Sequence, residues 1–284
     1  VKLREATVRS ILTRTSGYLR AVTSHSLQPY RGCSYGNALC GVGCYVRASP
    51  WLTRGEAWGS FLEARTNAPE RYRAEAPRER RWARRARGAF SVFLASSTDP
   101  FVPQERGLRL TRRVLEAMCD EPPDELVVQT HTHRVTDCLD LYPRLSRASR
   151  LRVHLSIESD RDRLPGLPPP ASSVARRLAA AAALRAAGLR VVVTVSPLLP
   201  IADPERFFAR LAEVADAVVI DHFIGGDGTP DGSRTLRTPL PAAMEAVHRG
   251  SSALAYRDEI VAIARRALPG RVGVGAEGFA GLYG

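Results

Sequence analysis

The amino-acid sequence predicts an α/β fold in which parallel strands are covered by outer helices. Two observations carry this expectation. From about residue 90 onward, short apolar runs alternate with segments of helical period. The chain has 284 residues, 44% of them hydrophobic, enough to bury one sizeable core. Strands alternating with helices imply βαβ units, a parallel sheet and right-handed crossovers. Six or so such units make a full or partial (β/α) barrel, which takes its ligands at the C-terminal ends of the strands.

The elements follow in order. A strand is expected near Thr23 to Leu27, then another over Phe90 to Ala95 and a helix over Gln104 to Met118. Glu125 to Thr130 reads as a strand, Val135 to Leu145 as a helix and Leu151 to Ile157 as a strand. Val174 to Ala187 is an alanine-rich helix closed by Gly188 as its C′ residue. Leu189 to Val195 is strongly β-branched and so a strand. Pro204 to Val214 reads as a helix that Asp203 caps. Ala217 to Ile220 is a strand, Tyr256 to Ala267 a late helix and Val272 to Val274 a short last strand. The loops following the strands are polar and rich in Gly and Pro, and no internal repeat occurs. We expect one domain over residues 1–284, with a core over about 20–222 and a C-terminal extension over 223–284 packing on it.

No run of eighteen apolar residues spans a membrane. The arginine-rich stretch from Val1 to Arg20 lacks the apolar region of a secretory signal. Five cysteines, three of them crowded together, do not resemble a secreted disulfide framework, so a cytoplasmic location is expected. The 41 basic residues against 29 acidic ones give a net charge of +12, which makes nucleic acid a candidate partner. Lys2 is the only lysine, so a GC-rich coding bias explains arginine over lysine but not the excess of positive charge. The segment Arg71 to Arg87 interleaves arginines with Tyr72 and Trp82. That mixture suits phosphates and bases. It equally describes a solvated helix braced by Glu70, Glu75 and Glu79.

The chemistry concentrates in Gly32-Cys33, six residues, Cys40, three residues, Cys44. Three thiolates on one glycine-rich loop suit three irons of a cubane cluster, leaving the fourth iron open. Zinc is the competing metal, but a structural zinc normally has four ligands, often as CxxC pairs, and none occurs here. Three unrelated buried cysteines are the other alternative.

Ser26-Leu27-Gln28-Pro29-Tyr30-Arg31-Gly32-Cys33 and Cys44-Tyr45-Val46-Arg47 resemble the cluster loop of the spore photoproduct lyase-like branch of radical S-adenosylmethionine (SAM) proteins. The resemblance continues in order through Thr66-Asn67-Ala68-Pro69-Glu70, Ser97 to Glu105, and Leu110-Thr111-Arg112. It goes on through Thr130, Arg134 and Asp137, then Gly188-Leu189 and Ser196 to Pro200, covering roughly residues 8 to 222. Most relatives have three and then two residues between the cysteines, whereas this chain has six and three, and Gly43 replaces an aromatic. Where many relatives carry a lysine after the third strand, this chain has His131.

The resemblance implies a partial (β/α)6-type TIM barrel of the radical SAM kind. It implies a [4Fe–4S] cluster on Cys33, Cys40 and Cys44, and SAM chelated by the open iron. Reductive cleavage of SAM to a 5′-deoxyadenosyl radical follows, with electrons from a donor such as flavodoxin or ferredoxin. Tyr45, Ser97, Thr98 and Asp99 are the expected cofactor contacts, joined by Ser156 and Glu158, whose spacing of two puts both on one strand face, and by Ser196. His131, beside His133, is a candidate proton shuttle, and Cys138 is a reserve hydrogen donor. Spore photoproduct lyase is associated with a hydrogen-donating cysteine on the fourth strand. Val153-His154-Leu155-Ser156 has none, so a different substrate is expected, a nucleic acid or a small molecule. The alternative is a basic nucleic-acid-binding protein with a structural or redox-sensing cluster.

Overall fold

The computed structural model covers residues 1–284. Eleven strands form: β1 (Lys2–Ala6), β2 (Leu12–Arg14), β3 (His25–Leu27), β4 (Tyr30–Gly32), β5 (Phe61–Arg65), β6 (Ser91–Leu94), β7 (Glu125–Thr130), β8 (Arg150–Ser156), β9 (Arg190–Val195), β10 (Ala217–Ile220) and β11 (Val272–Val274). The large sheet has the order β2-β3-β6-β7-β8-β9-β10-β11. Every neighbouring pair from β3 to β11 is parallel, and only β2 runs antiparallel, against β3. This is the expected α/β architecture with outer helices, and β11 brings the parallel strands to seven.

The longer helices are α1 (Ala68–Arg87), α2 (Leu110–Asp120), α3 (Tyr142–Ala148), α4 (Val174–Ala186), α5 (Pro204–Val214), α6 (Leu240–Val247), α7 (Leu254–Ala267) and α8 (Gly275–Ala280). Two predicted helices are broken. The one over Gln104 to Met118 stops at Arg109, which has φ +49°. There the Glu105 carboxylate turns back and accepts hydrogen bonds from the Leu110 and Arg112 amides, both at 3.0 Å, capping α2. The one over Val135 to Leu145 divides into a 3-10 turn, His133–Cys138, and α3, where Pro143 occupies the first turn.

The sheet alternates as period two requires. Outward residues such as Val128, Val153, Leu155, Val193 and Ile220 join the main core beneath the helices. Inward residues Phe93, Val127, Val192, Ala217 and Val219 form a second layer with Val22 and Phe279. Phe279 of α8 meets Tyr18 edge-on at 6.0 Å. Two positions further along the inward rows stand Gln129 and Asp221, Ser196 stands four beyond Val192, and Ser156 follows His154 two residues on along β8, so a polar ring crowns an apolar floor.

A small second sheet, β1-β5-β4, was not expected. Its strands have three to five residues and carry Lys2, Arg4, Glu5, Glu63 and Arg65, which hides the apolar period. It fixes the entry to the cysteine loop. Gly32 ends β4 at φ +80°, and a Cβ there would lie 2.5 Å from the Phe61 ring and carbonyl.

The arginines of α1 are largely engaged. Arg71 pairs with Glu75, Arg73 with Asp120, Arg78 with Glu79, Arg80 with Glu121 and Arg84 with Asp124. Tyr72 is buried and donates to the Glu121 carbonyl at 2.7 Å, while Trp82 lies beneath Arg14 and against His25. The segment therefore has the form of the braced, solvated helix. No helix is long and apolar enough to cross a membrane.

Candidate active site

The cysteine loop leaves β4 and folds tightly on itself. A Cβ on Gly36 would lie 2.4 Å from the Gly59 backbone, and one on Gly41 would lie 2.3 Å from the Gly36 carbonyl. The extra residues between Cys33 and Cys40 are thus taken up in backbone contact, ending in a helical turn, Leu39–Val42. Cys40 stands on that turn, and Cys44 follows two residues after its end in an extended conformation. All five cysteines are free, and Cys33, Cys40 and Cys44 line one wall of the same cavity. The cavity encloses about 910 Å³, part of it open to solvent.

The donor set fits a cluster. Burial pushes the Cys33 thiol up to about 12 and the Cys44 thiol to about 11. Burial and then the neighbouring Cys33 thiol raise Cys40 well above its usual value. Thiolates here need a cationic partner. No three His, Cys, Asp or Glu side chains converge on a single metal position.

The opposite wall is the loop after β6. Gln28 holds it, donating to Ser96 Oγ at 2.8 Å and accepting from the Ser97 amide at 3.2 Å. The Tyr45 hydroxyl donates to the Ser96 carbonyl, tying the cysteine loop across. Ser97 and Thr98 line the cavity, and Thr98 Oγ1 is buried without a partner. Asp99 also lines it, but its carboxylate accepts from the Phe101 amide (2.8 Å), Thr130 Oγ1 (2.9 Å) and the His131 amide (2.7 Å). Burial pushes its pKa upward despite these donors. Asp99 thus fixes the β7 loop as well as facing the cavity.

His131 follows β7 and faces the cavity from there. Its Nδ1 bonds Glu158 Oε1 at 2.7 Å. Arg177, only 2% exposed, donates to Glu158 Oε2 at 2.5 Å and to the Ser156 carbonyl at 2.6 Å. Burial opposes the Glu158 charge, but Arg177 and His131 prevail and hold the carboxyl at about 2. Glu158 lies two residues beyond the end of β8, past Ile157, whose amide still donates to the Thr194 carbonyl of β9 at 3.0 Å. Both Glu158 oxygens are engaged, behind His131 in a smaller cavity beside Cys40. Glu158 thereby holds the His131 ring through Nδ1. His133 turns away, with Nδ1 2.5 Å from Ser172 Oγ.

A second lobe of the cavity extends inward past Tyr18, Phe93, Ser156 and Phe279. Tyr45, Ser96, Gln129, His131, Ser196 and Asp221 border both lobes. Ser156 Oγ meets Gln129 Nε2 at 2.8 Å and Thr194 Oγ1 at 2.9 Å. Ser196 Oγ donates to Asp221 Oδ2 at 3.3 Å. Cys138 stands apart from these residues. It is 2% exposed within the main core, borders neither lobe, and burial pushes its thiol up to about 12.

Sequence reasoning passed over Gln129 and Asp221. The signal was parity: each extends the inward row of its strand, two residues beyond Val127 and Val219. Burial raises the Asp221 pKa to about 6, against hydrogen bonds that favour the charge. The native state therefore binds this proton more tightly than the unfolded chain. Its stabilising effect is complete below the unfolded value of 3.8 and is lost as pH rises through about 6. The difference is about 3 kcal/mol. Asp221→Asn is expected to be more stable than wild type at pH 8 and to lose the decline in melting temperature between pH 4 and 6, as read by thermal unfolding.

The fold is that of spore photoproduct lyase, matched over 96% of this chain. One structure of a spore photoproduct lyase cysteine-to-serine variant aligns with a TM-score of 0.61 at 17% identity, covering 81% of that chain. A variant with bound SAM and dinucleoside spore photoproduct aligns with a TM-score of 0.62 at 18% identity, over 96% of this chain and 81% of that one. At such identities the likeness establishes the fold. No protein-family model and no curated protein sequence matches the chain.

Proposed function

We propose that this chain is a radical SAM enzyme acting as a single domain on a substrate other than spore photoproduct. The observation that carries the reading is the convergence of Cys33, Cys40 and Cys44 on one cavity at the mouth of a parallel, spore photoproduct lyase-like barrel. The three thiolates would hold a [4Fe–4S] cluster, with Ser97 and Thr98 receiving the polar end of SAM across the cavity. The chemistry that these groups supply when bound is reductive cleavage of the sulfonium to a 5′-deoxyadenosyl radical, which abstracts hydrogen from an unreactive C–H bond.

The chain's own residues place and protect that chemistry. Tyr45, anchored on the Ser96 carbonyl, holds the cysteine loop against the β6 loop. Asp99 orders the β7 loop through Thr130 and the His131 amide. Glu158 fixes His131 through Nδ1, which leaves Nε2 to exchange a proton inside the cavity. Ser156, Gln129 and Ser196 line the passage to the inner lobe, whose apolar floor of Phe93 and Phe279 limits water. β8 carries His154 and Ser156 on its inward face and no cysteine, which supports a substrate unlike that of spore photoproduct lyase.

The test is anaerobic. The protein is reconstituted with iron and sulfide, reduced with dithionite and given SAM, and 5′-deoxyadenosine is sought by mass spectrometry. Product supports the reading. A bound, reducible cluster with no product in the presence of candidate substrates, together with salt-sensitive DNA binding, would favour a nucleic-acid-binding protein with a redox cluster. Thr98→Val, which removes one unpartnered hydroxyl, is expected to weaken SAM binding roughly tenfold, measured by equilibrium dialysis.

A further inference from the structure

Reductive cleavage needs an electron from outside this chain. Of its five cysteines, the two beyond the loop stand apart, Cys119 on α2 and Cys138 in a 3-10 turn, too few for a second cluster. The surface next to the cysteine loop has the make-up of a docking site. Trp51 is 88% exposed, more than any other large hydrophobic side chain. It sits on the helical turn Pro50–Thr53, linked to Cys44 by the 3-10 turn Tyr45–Ala48. At ~2 Å per residue, that turn carries the chain only about 8 Å. The Trp51 turn is also braced from the other end of the loop. Arg31, two residues before Cys33, donates to the Leu52 carbonyl at 2.8 Å while it clasps Glu63 through two nitrogens at 3.1 and 2.7 Å.

The arginines around Trp51 have no carboxylate in ion-pair contact. Arg47, whose guanidinium donates to the Val42 carbonyl at 3.0 Å, and Arg54 flank it in sequence, and both are exposed. The nearby carboxylates are already taken, Glu56 by Arg4 and Glu63 by Arg31. Most arginines of α1, by contrast, have acidic partners. An exposed tryptophan flanked by two exposed arginines without carboxylate partners has the composition of an interface anchor, and its sign selects a negatively charged partner.

We propose that the Trp51 turn, rimmed by Arg47 and Arg54, is where an acidic one-electron carrier protein docks to deliver its electron to the group held by Cys33, Cys40 and Cys44. This rests on the radical SAM reading. The test uses the reconstituted full chain and two variants, Trp51→Ala and Trp51→Ala/Arg54→Glu, with 5′-deoxyadenosine formation driven either by reduced flavodoxin, as an acidic carrier, or by dithionite. With flavodoxin, the double variant is expected to need about tenfold more carrier for half-maximal rate and to lose most of its salt dependence. With dithionite, both variants are expected to match wild type. An unchanged flavodoxin dependence would overturn the docking site, as would equal losses with both reductants. Wild type that makes no product even with dithionite would instead bring down the radical reading on which the proposal stands.

Discussion

Replacing Cys33, Cys40 and Cys44 together by alanine is expected to yield a folded protein that retains no iron after reconstitution and forms no 5′-deoxyadenosine. The thiols line one cavity wall, and although Cys33 also belongs to the main core and Cys44 packs against it, each replacement removes a single sulfur atom from a side chain at the edge of that cavity. The single variants separate the cluster from an accidental site. Cys40 stands on a helical turn packed between Gly36 and the Pro169 carbonyl, which accepts from the Leu39 amide at 3.0 Å. Loss of any one thiolate leaves too few ligands for a site-differentiated cubane, so each single variant is expected to lose most of the iron, measured by colorimetric iron analysis.

The second large effect concerns stability. Arg177 and Glu158 form a buried pair at 2.5 Å, with side chains 2% and 8% exposed. Arg177→Met leaves the Glu158 carboxylate buried with His131 as its remaining partner. Removing one partner of a buried pair costs about 3–5 kcal/mol. The double variant Arg177→Met/Glu158→Gln removes the stranded charge and is expected to recover much of that loss, as read by chemical denaturation. The pH dependence has a definite sign. Glu158 has a folded pKa depressed to about 2, so its contribution is complete above the unfolded value of 4.5 and disappears as pH falls toward 2. Arg177→Met should therefore show a flatter acid limb than wild type.

How far the sequence reaches depends on how local each feature is. β7 and β10 fall at their expected bounds, and β9 within one residue, because runs such as Val191-Val192-Val193 have one reading. The helix over Gln104 to Met118 broke because the cap is made by a side chain, Glu105, folding back on amides five and seven residues later. Sequence period cannot register that. The small sheet pairs Lys2 with Phe61 and Gly32 with Leu62, so its edges are set by chain segments dozens of residues apart. At the site, the cysteine spacing announced itself, and the β6 and β7 loop residues follow from strand ends. Arg177 was hidden in the alanine-rich stretch of α4, where only packing of the helix against β8 reveals that its guanidinium reaches Glu158. The partners of Glu158, Arg177 and His131, are hidden for the same reason: both come from elements distant in sequence.

The most direct measurement of the central claim is electron paramagnetic resonance of the reconstituted, dithionite-reduced protein, recorded with and without SAM. The account requires the spectrum of a reduced [4Fe–4S] cluster that changes when SAM is added and is missing from the Cys33/Cys40/Cys44→Ala variant. A cluster signal indifferent to SAM, or one that survives the triple replacement, would contradict it.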